Sequence, residues 1–275
     1  MSPVSRRVFL GAVTATAVTA SACSPEEPAP TEGAPSTAGS ATPSRPPGAT
    51  SSPVPTSSPG TPSAPPTTRT TGSPAADLLH GPRTRPAVAL TFHGAGDPSL
   101  TRTVLRIAAE HSAGLTVLAV GSWLDGNRAL ASAILDGGHD LGNHTWSHLP
   151  MRRLGSAEAR REVSRAAALL TSLTGSRGSW FRPSGTPRST GTIRRAAAAS
   201  GYHRCLAYDV DPLDDTDPGS ALVAGRVHRD AVSGSIVSLH LGHPGTVAAL
   251  PAILDGLARR GLRAVTVTDL MRGPA

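Results

Sequence analysis

The chain has no lysine, only two cysteines, and eight Phe, Trp and Tyr residues in 275. Each shortage excludes something. Two cysteines cannot build the disulfide framework of a small secreted domain. No run of about 18 apolar residues is present, so a multi-pass membrane protein is excluded, and no fixed-period repeat points to a solenoid. All 26 basic residues are arginine, against 19 acidic ones, for a formal charge of +7. With so much Ala, Gly and Pro, that bias is the mark of a GC-rich coding sequence rather than of a nucleic-acid footprint. The arginines are scattered, the only pairs in the folded part being Arg152–Arg153, Arg160–Arg161, Arg194–Arg195 and Arg259–Arg260. No nucleic-acid partner is expected.

Proline, serine, threonine, glycine and alanine are plentiful, and unevenly placed. Residues 24–76 hold 47 of these among 53 positions, with Val54 the only larger apolar residue. Such a stretch cannot bury enough apolar surface to offset its ordering entropy, and it reads as a linker. We set the linker at 24–82 and a single folded domain at 83–275. Residues 1–23 carry a twin arginine, Arg6–Arg7, a short and weakly apolar run, and Ala20-Ser21-Ala22-Cys23. This predicts a twin-arginine export signal ending in a lipobox, with Cys23 as a lipid anchor at the membrane. Cleavage near the same place without lipid is the alternative. The protein is thus expected to be exported, anchored or secreted, facing the cell wall. A flexible linker of this length would span roughly 40 Å root-mean-square, and at most about 160 Å if extended. The remaining cysteine, Cys205, lies in an apolar run and reads as a lone buried thiol.

From residue 86 onward strands and helices alternate. Apolar runs at Pro86–Phe92, Leu115–Val120, Asp140–Gly142, Ser179–Arg182, Tyr202–Val210, Ser235–Leu239 and Leu262–Val267 read as strands. Helical spacing covers Ser99–His111, Asn127–Leu135, Ser156–Leu173, Thr190–Ser200, Ser220–Val227 and Val247–Arg260. Alternation of this kind implies parallel pairing with crossover helices. A compact, incomplete β/α barrel is expected, with a doubly wound open sheet as the alternative.

Titratable residues gather where the strands end: His93, then His144 and His148, Arg182, the aspartates Asp209, Asp211 and Asp214, and His240. In a β/α barrel these positions share the C-terminal face, where active sites form. In His144-Thr145-Trp146-Ser147-His148 two imidazoles stand four apart, a spacing suited to a zinc-type site. The bland account of the pair is turn and capping hydrogen bonds. A third ligand should come from a neighbouring strand end.

The segments VALTFHGAGD, GNHTWSH, FRPSG, DVDPLDD and SLH, in that order on those elements, resemble the five motifs of the polysaccharide deacetylases, the NodB-homology group of carbohydrate esterase family four. The resemblance implies a distorted (β/α)7 barrel. It also implies a metal-dependent hydrolase that removes acetyl groups from N-acetylated, or sometimes O-acetylated, polysaccharide such as peptidoglycan or a chitin-like glycan. The divalent metal would be zinc, with cobalt as a substitute, and the protein a monomer. His144 and His148 match the family's metal-binding histidines, Arg182 the arginine around the catalytic carboxylate, Asp214 its usual partner, and His240 the general acid.

The first motif departs from the pattern. The family has two adjacent aspartates after Thr-Phe, a general base followed by a metal ligand; this chain has His93 and Gly94. Gly94 cannot ligate through a side chain. The nearest carboxylate is Asp97, past two glycines that allow a tight loop. We expect Asp97 as the third ligand and His93 as the base, with the swapped assignment, His93 on the metal and Asp97 as base, left open. Asp215 stands where Trp is usual, which puts one wall of the pocket in doubt. Two other functions stay open: a degenerate module that binds cell-wall glycan without turnover, and a hydrolase of another amide or ester.

Overall fold

The computed structural model describes residues 76–272. The signal, Cys23 and most of the linker lie outside the described residues. Ala87–Gly94 (β2) is apolar and buried on both faces, as a central strand of a parallel sheet must be. It pairs with Leu115–Ala119 (β3) on one side and Ile236–His240 (β6) on the other. Asp140–Asn143 (β4) extends the sheet beyond β3, and Arg263–Ala264 (β7) pairs with the start of β2. The order is β4-β3-β2-β6, all parallel.

Short bridges close this sheet into a ring. Phe181 bridges Asn143 on one side and Cys205, in Arg204–Leu206 (β5), on the other, and Val210 bridges Val237. The open doubly wound sheet is thereby overturned in favour of the distorted barrel. The expected strand Ser179–Arg182 shrinks to its Phe181 bridge, hemmed between left-handed Gly178 and Pro183. The domain also begins earlier than expected. Ala76–Leu78 (β1), inside the stretch assigned to the linker, pairs with β5, and buried Leu78 accepts the Ala207 amide at 2.7 Å.

Helices fill the crossovers. Pro98–Glu110 (α1) is capped by Asp97 and has Pro98 at its first position, where a missing N–H is harmless. Gly121–Gly126 (α2) and Ala129–Asp136 (α3) follow β3. Ser156–Thr174 (α4) ends at left-handed Gly175. Gly191–Ala199 (α5), Ser220–Asp230 (α6), Pro244–Arg259 (α7) and Val267–Met271 (α8) complete the shell. The main core joins Leu90, Phe92 and Val117 of the sheet to Val104, Ile107, Leu250 and Ile253 of α1 and α7. Among the described helices none is long and apolar enough to cross a membrane. Cys205 is buried and unpaired, and burial pushes its thiol up to about 11.

Candidate metal centre and catalytic pocket

Parallel register makes the site. His93 and His240 are direct partners at the ends of β2 and β6, so their rings meet edge to face at 4.4 Å. The ring of His144, just past β4, lies 4.2 Å from that of His93 and 4.9 Å from that of His148. One nitrogen from each of His93, His144 and His148 lies within 4.8 Å of the others. His93 and His148 line a cavity of about 270 Å³ together with Arg182, Tyr208, Asp211, Asp215, Ser238 and His240, while His144 is fully buried. A larger cavity of about 380 Å³, around Leu254, Leu262 and Val265, holds His111 and Arg263 but none of these residues.

The tautomer of His144 follows from its partner. Its Nδ1 lies 2.9 Å from the Arg182 carbonyl, which only accepts, so Nδ1 carries the proton. Nε2 then offers a lone pair, and it is buried with no partner. A buried polar atom left unmatched is rare and calls for an explanation. A ring whose far nitrogen donates to a carbonyl is the usual arrangement of a metal-ligating histidine. Burial first, and the adjacent His148 second, hold His144 well below the usual imidazole value, so it stays neutral, as a ligand must. His148, partly exposed, is also held low, chiefly by burial. The residues present fit a divalent cation.

The turn between the two histidines is held in a sparsely populated shape. Thr145 at φ 69° and His148 at φ 57° are both left-handed without being glycine, at about 1–3 kcal/mol each. Asn143 Oδ1 accepts the Thr145 amide at 2.8 Å, and Thr145 Oγ1 lies 3.0 Å from Ser184 Oγ.

Arg182 is fully buried. It donates to the carbonyls of Leu206 and Ala207, and its Nη1 lies 3.1 Å from His93 Nε2. Burial pulls it down to about 9, which leaves it cationic at neutral pH. Because a guanidinium only donates, His93 Nε2 accepts and the proton of the neutral ring rests on Nδ1. Burial, then His144 and Arg182, hold His93 well below its ordinary value. A ring so reluctant to take a proton is a weak base. For Nδ1 to grip a cation, the ring proton must move to Nε2, where Ser238 Oγ lies at 3.5 Å.

Asp214 is buried under His240. Its Oδ1 accepts a hydrogen bond from His240 Nδ1 at 2.9 Å, and its Oδ2 accepts from the His240 amide at 2.8 Å and the Thr246 hydroxyl at 2.6 Å. That fixes the ring and leaves Nε2 facing the cavity. Asp209, by contrast, is structural: it accepts from the Ile236 amide, Ser235 and Arg83.

Asp97 corrects the expected ligand set. Its Oδ1 accepts the Ser99 amide at 2.8 Å, which holds the carboxyl below its usual value. It is exposed, facing Arg102 and Arg128 rather than the histidines. The reason is local: an aspartate before Pro98 serves the free amides of α1 better than it serves a loop folding back. Gly96, at φ 91°, passes so close to Gly242 that any Cβ would lie 2.4 Å from its Cα, which fixes the loop's course. A Cβ on Gly94 would stand 3.2 Å from Trp123 Cζ3 and 3.0 Å from the Ala119 Cα, so Trp123 occupies the space beside it. His93 takes the place in the cluster that had been given to Asp97. Glu162 was missed. It interrupts the buried face of α4 between Ala159 and Val163, and a lone acid in an apolar stripe was the available signal.

Comparison with known proteins agrees with this geometry. A model of the polysaccharide deacetylase family matches residues 80–205. A peptidoglycan-N-acetylglucosamine deacetylase of Bacillus cereus is 31% identical over 201 residues, 70% of this chain and 91% of that protein. Some relatives are longer: a Listeria monocytogenes peptidoglycan-N-acetylglucosamine deacetylase is 26% identical over 68% of this chain, which spans 39% of it. Among solved structures, a carbohydrate esterase family four pseudoenzyme from Bacillus anthracis superposes with a TM-score of 0.67 at 25% identity, covering 73% of this chain and 70% of that one. A mutant of it is described as having restored enzymatic activity. The fold and site thus define a hydrolase of non-peptide carbon–nitrogen bonds, of the deacetylase type. The chain belongs to the polysaccharide deacetylase family.

Proposed function

We propose that this protein is a metal-dependent deacetylase of N-acetylated cell-wall glycan of the peptidoglycan type, using zinc, with cobalt as a working substitute. The observation that carries the metal is the buried, unpartnered Nε2 of His144, aimed into a cluster with His93 and His148. Those three imidazoles would hold the ion, and the chemistry it supplies there is Lewis acidity toward the acetamide carbonyl. His240, oriented by Asp214, hands its Nε2 proton to the departing amine. With Asp97 turned away and His93 a weak base, the His240 ring is also the group placed to take a proton from water beforehand. Arg182 makes the pocket floor cationic, and its contact with His93 Nε2 belongs to the metal-free ring, being given up when the ring proton moves to that nitrogen. The peptidoglycan substrate is inferred from the Bacillus and Listeria relatives.

Zinc titration of the protein, with acetate release measured on peptidoglycan and on chitooligosaccharide, tests this. Stoichiometric zinc uptake with zinc-dependent acetate release is expected; glycan turnover unaffected by chelation refutes it. A second reading, a glycan-binding module without turnover, draws on the lost aspartate pair and on the likeness to a pseudoenzyme. Saturable glycan binding with no acetate under any metal favours it. We also infer export through the twin-arginine signal, a lipid on Cys23 and a monomeric protein facing the wall. Release of the protein from the membrane fraction by Cys23→Ala is the expected result.

A further inference from the structure

Of the clustered histidines, His148 is the one with the least to hold it. Among the described residues it makes no hydrogen bond, it is exposed, and its φ of 57° is one that non-glycine residues seldom adopt. Its place is therefore set by its chain neighbours: beyond it the Leu149 carbonyl accepts the Ser184 hydroxyl at 2.5 Å, and the three residues before it are held at more points. The Thr145 and Trp146 carbonyls accept the amides of Gly121 and Ser122 at 2.8 and 2.9 Å. The last ties before His148 come from α4: Glu162 Oε2 accepts the amides of Trp146 at 3.0 Å and Ser147 at 2.8 Å. Glu162 is 8% exposed, and one oxygen taking two consecutive amides is a rigid arrangement. The same stretch of helix grips the turn twice more. The Val163 carbonyl accepts from Asn143 Nδ2 at 2.9 Å, and the Arg165 guanidinium lies 3.7 Å above the Trp146 ring. A buried acid would not be kept on an apolar helix face unless its lone pairs were used, and here they are used on the turn that carries the ligands.

We propose that Glu162 is a positioning residue for the metal centre: by holding the Trp146 and Ser147 amides it delivers the His148 imidazole to His144 and His93. It rests on the metal-dependent reading above. The test compares the full chain with Glu162→Ala and Glu162→Gln. Outer contacts that orient ligands typically change metal affinity about 10- to 100-fold. Glu162→Ala should weaken zinc binding by that factor and reduce the visible absorption of the cobalt-loaded protein. Glu162→Gln, which keeps a carbonyl oxygen at the same reach, should restore both. In the metal-free protein, the Trp146 and Ser147 amides should lose hydrogen-exchange protection in the Ala variant and keep it in the Gln variant. Equal zinc affinity and cobalt spectrum in Glu162→Ala overturn the proposal, as does a Gln variant as weak as Ala. Should Glu162→Ala fail to fold, Glu162→Asp, whose carboxylate falls one methylene short, carries the same expectation. If the unaltered protein binds no zinc, the metal reading fails, and the exchange of the two amides alone then judges Glu162, with unchanged exchange overturning it.

Discussion

Two segments meet at the end of the barrel, and they have fared differently. The turn 143–148 keeps both imidazoles of its family pattern and is tied down from three sides, by Asn143, by the start of α2 and by Glu162. The loop 93–97 has lost both aspartates; its remaining acid caps a helix, and Trp123 fills the space beside Gly94. The contrast teaches that the anchored half of a family site can persist while its other half changes. The imidazole of His93, one strand position from the lost ligand, reaches the cluster because strand register already places it beside His240 and His144.

The comparison breaks most severely at His144. Its replacement by alanine should abolish stoichiometric zinc uptake, read by calorimetry, whereas His93→Ala should weaken uptake without abolishing it. Equal losses would make the two halves equivalent. Next, His240→Ala should lower acetate release by about 10²- to 10⁴-fold, the usual worth of a positioned acid or base, while leaving zinc affinity unchanged.

Gly94→Asp sharpens the contrast on the rebuilt side. The new side chain meets Trp123 and the β3 backbone, so overpacking should destabilise the fold by about 1–3 kcal/mol in urea denaturation, with no gain in zinc affinity. Tighter zinc binding would show that the loop still accepts the family ligand.

Acid should act where the halves touch. His93 and His144 are both held below their unfolded values, so above about pH 6.5 both states are neutral and nothing is gained or lost. As pH falls below that value the unfolded chain binds protons that the native metal-free protein refuses, and stability declines by up to about 1.4 kcal/mol per pH unit for each proton. A metal-free melting temperature that is flat from pH 7 to 5 would contradict the buried, neutral pair. The smallest effect belongs to Asp97→Ala: a slight loss of melting temperature from the α1 cap, with zinc affinity unmoved. A large fall in affinity would return Asp97 to the metal.

Much of this was legible in the residues. Apolar runs bounded by glycine located β2, β3 and β6, and titratable residues at strand ends marked one face of a barrel. The strand expected at 179–182 shrinks to a bridge, and 76–78 forms a strand without a local signal, for one reason: bridging Phe181 and docking Ala76–Leu78 both depend on β5, a partner distant in sequence. Asp97 carries two conflicting signals: its spacing from His93 suits a returning loop, while its adjacency to Pro98 suits a cap. Which of these wins depends on how closely Gly96 and Gly242 pass, and no local pattern reports that.

By itself, then, the sequence determined the periodicities, the lysine-free surface, the paired histidines and the absent aspartates, because those depend on residue type and spacing along one chain. Only the tertiary structure decided that His93 joins His144 and His148, that Asp97 does not, and that Glu162 stands behind the turn. Those outcomes depend on register between parallel strands and on a helix face packing across a turn, distances that exist only after the barrel has closed.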